Sequence, residues 1–438
     1  MIIMKFGGSS IGSAMRIRQS ADIIKQRLDK QPIVVVSAVG GVTDMIIDNA
    51  NSAVKGEYDI EAIREKHTQI LNDLELAEDL VNEELNEIEI IYKGLSIIKE
   101  LTPKTFDIIQ SFGERMSCKI VAGHLNKIGI NAKPQRAYDI GMVTDNNFGC
   151  AEPLKEAYDL IKENLSEAQE VNVITGFIGK NKNNEITTLG RGGSDYTAAI
   201  LGAAVGSEEI QIWTDVDGIM TCDPRVVEQA KSIKEVSFNE AAELAYFGAK
   251  VLHPKTIIPA VRNNIPVRVL NTYNPKHPGT LIVNKVSSKG VKAIAFKKNT
   301  NLISIRSTRM LMAYGFLAKI FRVFEEHKIA VDMVTTTEVS VSLTVDDNKN
   351  LDKAIDELRK FSQIKIENDK SIVSIVGEVN GGANEILGKV FSKVCENGIT
   401  IKMISQGASE INLSFIVNSE DIDKTVKLLH EHFFGGRE

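Results

Sequence analysis

The chain has 438 residues, enough for two to three domains that each bury a core. A net charge of −6 with 25% charged and 43% apolar residues fits a soluble globular protein and leaves no basic footprint for nucleic acid. Cys118, Cys150, Cys222 and Cys395 stand far apart with no zinc or redox spacing, the first residues form too short an apolar run for a signal peptide, and no window reaches a membrane span, so a reduced, cytoplasmic setting is expected.

Ile2 to Phe6 reads as a strand that stops in Gly7-Gly8-Ser9-Ser10, with a helix after it carrying apolar residues at Ile17, Ala21 and Ile24. Ile33 to Ser37 is a continuous apolar run of the kind buried in parallel sheets, and it too ends in a glycine turn, Gly40-Gly41-Val42-Thr43. Lys5 sits at the first strand–turn junction, a sound place for a cation that meets phosphate; an ordinary lysine near a sheet edge fits equally well. Residues 55–130 read as a long helical tract, with the charged run Glu75 to Glu89 as a solvated face. Inside it Gly113 interrupts the helix beside Glu114, whose carboxylate would hold an amino group or simply pair with Arg115 or a nearby lysine.

Val171 to Ile178 reads as one buried strand, and the stretch that organises the chain follows it. Gly190, Gly192 and Gly193 surround Arg191, and Ser194 and Asp195 open a helix of small residues. Glycines let backbone N–H groups approach an anion, a helix N-terminus adds positive potential, and Arg191 offers a fork for carboxylate or phosphate. Asp195, a carboxylate where an anion should sit, calls for a cation or a reaction. A plain glycine turn with Ser194 or Asp195 as N-cap is the simpler alternative. A dinucleotide fingerprint fails because Asp195 stands where glycine is needed, and a P-loop at Gly388-Lys389 fails at Val390 and Ala383.

Glu209 to Asp215 is the next strand, ending in Thr214-Asp215-Val216-Asp217-Gly218, which lacks the further ligands of a calcium loop. Asp223-Pro224-Arg225 reads as a turn and Phe238 to Tyr246 as an amphipathic helix, with Lys250 after it and a strand at Pro266 to Leu270. This alternation predicts a three-layer α/β/α sandwich with a mainly parallel sheet to about residue 285. The remainder is an internal repeat that pairs Lys319 with Lys389, Phe321 with Phe391, Ile329 with Ile399 and Met333 with Met403. Both repeats read β-α-β-β-α-β, the ferredoxin-like order, for regulation, assembly or plain packing.

Glycine turns at strand ends, Lys5 and Lys250 for phosphate charge and a central Asp195 suit phosphoryl transfer, which is mostly positioning and charge neutralisation. None of the seven histidines lies in a triad or metal pattern. An acceptor carboxylate, with a pKa near ~4, needs no base, which favours an acyl-phosphate product.

Lys5-Phe6-Gly7-Gly8-Ser9-Ser10, Thr188 to Asp195, Trp213 to Gly218, Asp223-Pro224-Arg225 and Phe247 to Pro254 resemble the signature segments of aspartate kinases, nearly end to end and in family order. The resemblance implies an amino-acid-kinase domain at 1–285 and two ACT domains, 286–370 and 371–438, with a strand near 291–296 shared with the second. It implies ATP, Mg2+ and phosphorylation of the L-aspartate side-chain carboxylate to 4-phospho-L-aspartate, the first step toward lysine, threonine and methionine. By motif, Lys5 would neutralise the transferring phosphoryl group and Asp195 would hold Lys5. Arg191 would clamp a substrate carboxylate, with Thr43, Phe177 and Ser194 around it, and Glu114 would receive the α-ammonium.

Gly7, Gly8, Ser9, Thr214, Asp215, Met220, Arg225, Lys250 and Val251 would line the nucleotide site. Ser9 replaces the usual threonine and keeps its hydroxyl; Met220 stands where some members place tyrosine. The first ACT unit is similar to lysine-sensitive members, which implies an amino-acid effector, lysine, held by Met310, Gly315, Phe316, Leu317, Val331, Asp332, Thr336, Thr337 and Glu338. Asp332 would meet its amino group; Ala313 and Thr337 replace serines of some members. The resemblance further implies a homodimer or homotetramer through ACT units, and the chain reads as monofunctional. Another amino-acid kinase, such as one acting on glutamate, and a catalytically silent amino-acid sensor are the competing readings; the paired ACT units and Phe247-Gly248-Ala249-Lys250 argue against the first, and the intact Lys5, Glu114, Arg191 and Asp195 against the second.

Overall fold

The computed structural model describes the chain apart from residues 166–169, 248–251, 311–313, 347–348, 379–382, 408–410 and 437–438. Two compact units emerge: Met1–Ile219, Lys234–Phe238 and Val251–Val286 form the first, and Met220–Ile233, Asn239–Lys250 and Ser287–Glu438 form the second.

In the first unit the strands are β1 (Ile2–Phe6), β2 (Pro32–Val36), β3 (Ala132–Gln135), β4 (Val143–Thr144), β5 (Val171–Thr175), β6 (Ile178–Asn181), β7 (Ile186–Thr188), β8 (Glu209–Thr214), β9 (Glu235–Ser237), β10 (Val267–Asn271) and β11 (Thr280–Val283). The main sheet has the order β3-β5-β2-β1-β8-β10-β11-β9, and only β10–β11 pair antiparallel. β4, β6 and β7 make a small second sheet. Helices α1 (Ala14–Lys25), α2 (Val42–Ala53), α3 (Glu61–Leu74), α4 (Asn82–Ile98) and α5 (Pro103–Lys127) share one core with Ile2, Met4 and Phe6 of β1. Of α6 (Lys155–Leu165), α7 (Gly193–Val205) and α9 (Ile258–Arg262), α7 packs on the sheet at β1, β2 and β8. β1 and β2 are buried on both faces, as their unbroken apolar sequences require.

Three local expectations change. Gly113 does not interrupt a helix; it lies inside α5, where a Cβ would come 2.7 Å from that of Ala38. The glycine lets α5 press against the turn after β2. The run Glu75 to Glu89 is not wholly solvated: Glu84 is fully buried, 2.8 Å from the ammonium of Lys119 and 3.9 Å from Arg115. Val171 to Ile178 is two strands, broken at Gly176-Phe177, where Phe177 takes a left-handed φ of 68°.

The second unit holds α8 (Phe238–Tyr246, assigned to it from Asn239), β12 (Ala293–Arg306), α10 (Phe316–Glu326), β13 (Val331–Thr336), β14 (Ser340–Asp346), α11 (Leu351–Arg359), β15 (Gln363–Val376), α12 (Ala383–Glu396), β16 (Met403–Gln406), β17 (Asn412–Asn418) and α13 (Ile422–Phe434). Its sheet runs β13-β14-β12-β15-β17-β16. β12 and β15 are 14-residue strands that serve both repeats: Thr300–Arg306 pairs with β14, and Ala293–Lys297 pairs with Ile372–Val376. The first repeat keeps the β-α-β-β-α-β order. The second departs from it, since α13 is its last element and Ala293–Lys297 supplies the remaining strand. Each repeat has its own core, one around Ile303, Phe324 and Leu343, the other around Val373, Val390 and Phe415.

Candidate active site

Side chains alternate along a strand, so Lys5 points to the face opposite Met4 and Phe6, the face that α7 covers. There its Nζ lies 2.6 Å from Oδ1 of Asp195, and the two side chains are 11% and 12% exposed. β1 is central in the sheet, so the edge-lysine alternative fails. The contact is a charge contact: Oδ1 of Asp195, although this close, has no well-directed hydrogen-bond donor among the described residues. Ser194 and Asp195 lie in the first turn of α7, whose N-cap is Gly192 in a left-handed conformation with φ 70°.

The glycine turns are set by close approach. A Cβ at Gly193 would lie 2.6 Å from the Phe177 ring, and one at Gly176 would lie 2.5 Å from Ser194 Cβ. The Phe177 N–H donates to Thr197 Oγ1 at 3.0 Å, which ties the strained turn to α7. At the neighbouring strand ends, a Cβ at Gly8 would lie 3.0 Å from the Ala38 carbonyl oxygen. Gly7 N–H donates to the Trp213 carbonyl at 3.1 Å, and Gly176 N–H to that of Val36 at 2.8 Å. The carboxyl ends of β1, β2, β5 and β8 therefore meet at one edge, where ligands of open α/β sheets bind.

Glu114 faces that edge from α5. Ala38 N–H donates to its Oε1 at 3.1 Å, and its Oε2 is buried with no donor among the described residues. Burial pushes its carboxyl up to about 8, against the pull of that N–H and of the Lys5 charge. Arg115 pairs with Glu87 at 2.7 Å, so the expected Glu114–Arg115 alternative does not occur. Thr43 is half-buried in the first turn of α2. Arg191 is exposed and has no ion-pair partner among the described residues. Ser9 and Thr214 lie at the ends of β1 and β8; the Ser9 carbonyl accepts from Tyr273 at 3.2 Å, and Thr214 Oγ1 donates to Asp215 at 3.1 Å.

Met220 and Arg225 fall in the second unit. Met220 is bridged to Ser232, and the exposed Arg225 forks onto Asp223, with Nη2 to Oδ2 at 2.6 Å. Lys250 and Val251 lie outside the described residues. Among the effector residues, Met310, Phe316 and Val331 pack against the core of the first repeat. Gly315 caps α10 with φ 78°, Leu317, Thr336 and Glu338 are exposed, and Thr337 shares a 2.7 Å hydrogen bond with the Ser340 hydroxyl. The Asp332 side chain is only 4% exposed.

Two residues at the edge carry no sequence signal. Asp107 accepts from Gly149 N–H at 2.9 Å, Thr188 N–H at 2.8 Å and Thr188 Oγ1 at 2.9 Å, which anchors the end of β7 before the glycine loop. Lys66 donates from α3 to the Gly40 carbonyl at 2.6 Å.

The amino acid kinase family model matches residues 1–271, and an ACT domain model matches 303–360 and 373–433. Aspartokinase 2, chloroplastic, of Arabidopsis thaliana is 42% identical over 99% of this chain and 84% of its own length. Lysine-sensitive aspartokinase 3 of Escherichia coli strain K12 is 37% identical over 99% of both. The crystal structure of E. coli aspartokinase III in complex with lysine and aspartate superposes with a TM-score of 0.83 at 34% identity, covering 99% of each chain. That of Clostridium acetobutylicum aspartate kinase gives 0.81 at 30% identity, covering 99% of this chain and 100% of its own. With full-length relatives at this identity and both domain types in place, the chain belongs to the aspartokinase family.

Proposed function

We infer that the chain is an aspartate kinase, transferring the γ-phosphoryl group of ATP to the side-chain carboxylate of L-aspartate under feedback control by lysine. The observation that carries the reading is the buried Lys5–Asp195 pair at the carboxyl edge of a parallel sheet, set among glycine turns. Lys5 offers its ammonium to the transferring phosphoryl group, and Asp195 holds that ammonium in place. Arg191 is free to fork onto the substrate α-carboxylate. The unpartnered Oε2 of Glu114 takes the α-ammonium. These contacts fix the acceptor carboxylate in line with the γ-phosphate, and it attacks already ionised. Thr43, Phe177 and Ser194 shape the pocket around it. Gly7, Gly8, Ser9, Thr214, Asp215, Met220, Arg225, Lys250 and Val251 take the nucleotide.

No group of three or more acidic, His or Cys side chains among the described residues makes a metal cage. Mg2+ in phosphoryl transfer is usually held by one or two carboxylates together with substrate phosphates. Asp195 is the carboxylate that would share it with the phosphates, through the oxygen turned away from Lys5, and the ion would neutralise phosphate charge. The kinase domain is assigned to 1–285 and the ACT units to 286–370 and 371–438. Met310, Gly315, Phe316, Leu317, Val331, Asp332, Thr336, Thr337 and Glu338 are assigned to lysine, the ligand in the similar E. coli structure. Pairing of ACT units between copies gives a homodimer or homotetramer. No described helix is long and apolar enough to cross a membrane. The setting is assigned as reduced and cytoplasmic, in keeping with four free cysteines.

The test is ATP-dependent acyl-phosphate formation from L-aspartate, trapped as the hydroxamate, with and without lysine. Turnover that lysine suppresses is expected. An inert protein that still binds lysine would overturn the catalytic reading.

A further inference from the structure

Within the second unit, Asp332 already holds an ammonium. Lys297 Nζ lies 2.9 Å from both of its carboxylate oxygens, and the Tyr246 hydroxyl donates to Oδ1 at 2.9 Å. The strand irregularities explain the meeting. The β12–β15 register shifts between Lys297 and Thr300, and the β13–β14 register shifts between Val331 and Val334. Such bulges re-aim side chains out of the regular alternation. Lys297 has a second partner, Oδ1 of Asp346 at 2.8 Å, whose side chain is 58% exposed. If Lys297 releases Asp332, its charge stays paired and faces water. Asp332 has no such alternative, because it is buried and needs a cation.

We propose that Lys297 is a built-in competitor for the effector's ammonium at Asp332, and that Tyr246 reports on α8 which of the two ammonium groups is in place. The proposal rests on the reading of Asp332 as the effector's amino-group partner. The ligand class is a primary amine small enough to bring one ammonium to a buried carboxylate. Its arrival leaves Lys297 on Asp346 alone and changes the surroundings of the carboxylate that Tyr246 donates to. Among the described residues, hydrogen bonds along one face tie α8 to the rest of the unit. Glu378 N–H donates to Glu240 at 3.1 Å, Asn412 Nδ2 to Glu243 at 2.7 Å, and Tyr246 itself reaches Asp332. Tyr246 contacts the first repeat through Asp332 and is the last residue of the helix, directly before Phe247-Gly248-Ala249-Lys250. An apparent affinity falls by the fraction of sites already competent, so an internal competitor weakens the effector without touching it.

The experiment is calorimetric lysine binding to the full-length protein, beside lysine inhibition of turnover, for the parent, Lys297→Met, Lys297→Arg and Tyr246→Phe. Lys297→Met is expected to bind lysine about tenfold more tightly with unchanged KM for aspartate and ATP, and Lys297→Arg to stay near the parent. Tyr246→Phe is expected to bind lysine at least as tightly yet to be inhibited less at saturation. A parent that binds no lysine while Lys297→Met does would also support the competitor. Equal binding by parent and Lys297→Met overturns the competitor and leaves the effector site standing. Weaker binding by Lys297→Met makes Lys297 part of the site and overturns it too. No binding by any of the four sinks the proposal together with the effector reading. Unchanged inhibition of Tyr246→Phe removes Tyr246 from the relay.

Discussion

Glu114 is the residue whose chemistry is most exposed to test. Its carboxyl is pushed up to about 8 because burial outweighs the Ala38 N–H and the Lys5 charge. At neutral pH it is mostly protonated, and an ammonium needs it ionised. Aspartate capture should therefore strengthen as pH rises, with kcat/KM for aspartate climbing up to about tenfold per unit toward pH ~8. Glu114→Gln should flatten that limb and weaken aspartate roughly a hundredfold, the usual scale for truncating one partner of a buried charged pair. A parent profile flat from about pH 6 to 8 would remove Glu114 from the substrate site. The same shift has a stability sign. The folded value lies above the unfolded one, so the stability is fully present below the ordinary carboxylate range and lost as pH rises through about 8. Glu114→Gln should therefore melt above the parent at about pH 9 and close to it at pH 4. Lys5 gives the sharper functional outcome: Lys5→Ala should abolish hydroxamate formation while leaving the circular-dichroism spectrum and lysine binding intact.

At the scale of elements, α5 shows how a site residue is positioned by a neighbour with no chemistry of its own. Gly113→Ala would place a methyl 2.7 Å from Ala38 Cβ, on the residue whose N–H holds Glu114. It should cost about 1–3 kcal/mol and raise the aspartate KM, both read by thermal melting and steady-state kinetics. Adding Ala38→Gly should restore much of each. This contact also shows the limit of what the residues announce. A glycine in a helical pattern reads as a break, and only the partner turn 75 residues away explains it. Glu84 hid in a charged run for the same reason, because Lys119 and Arg115 lie on another helix. The parallel strands and the glycine turns were legible because period and turn chemistry are local, whereas the Lys5–Asp195 contact was reached only through the family resemblance. The Phe177 turn, the clamp at Asp107 and the Lys297–Asp332–Tyr246 group were not, since each depends on strands brought together by the fold. The last strand of the second repeat was misplaced by a purely local reading of the repeat. Its residues come some 125 positions before α13, and only the family resemblance pointed to 291–296.

For the molecule as a whole, the second unit presents apolar residues that its own cores do not cover. Leu317 and Phe321 on α10 are 42% and 37% exposed, Tyr314 just before it is fully exposed, and Ile404 on the edge strand β16 is 43% exposed. α10 is strongly amphipathic, and Ile320, Val323 and Phe324 of its other face fill the first-repeat core, so Leu317 and Phe321 are surplus to folding. A second copy of the same unit is the partner that the ACT reading supplies, and a two-fold pairing would cover the patch on both copies at once. Phe321→Asp places a charge on that patch without entering the core or the residues assigned to lysine. It should lower the mass measured by light scattering at micromolar protein to that of a single 48.2 kDa chain, or move the dissociation constant up by at least about tenfold. Stability of the isolated unit should change by no more than about 0.5 kcal/mol, as for surface substitutions. If lysine sits where two copies meet, the variant should also need more lysine for half-inhibition, and raising the protein concentration should recover part of the loss. A parent that is monomeric at every concentration, yet fully lysine-sensitive, would confine the regulatory site to one chain and leave the α10 patch without a partner.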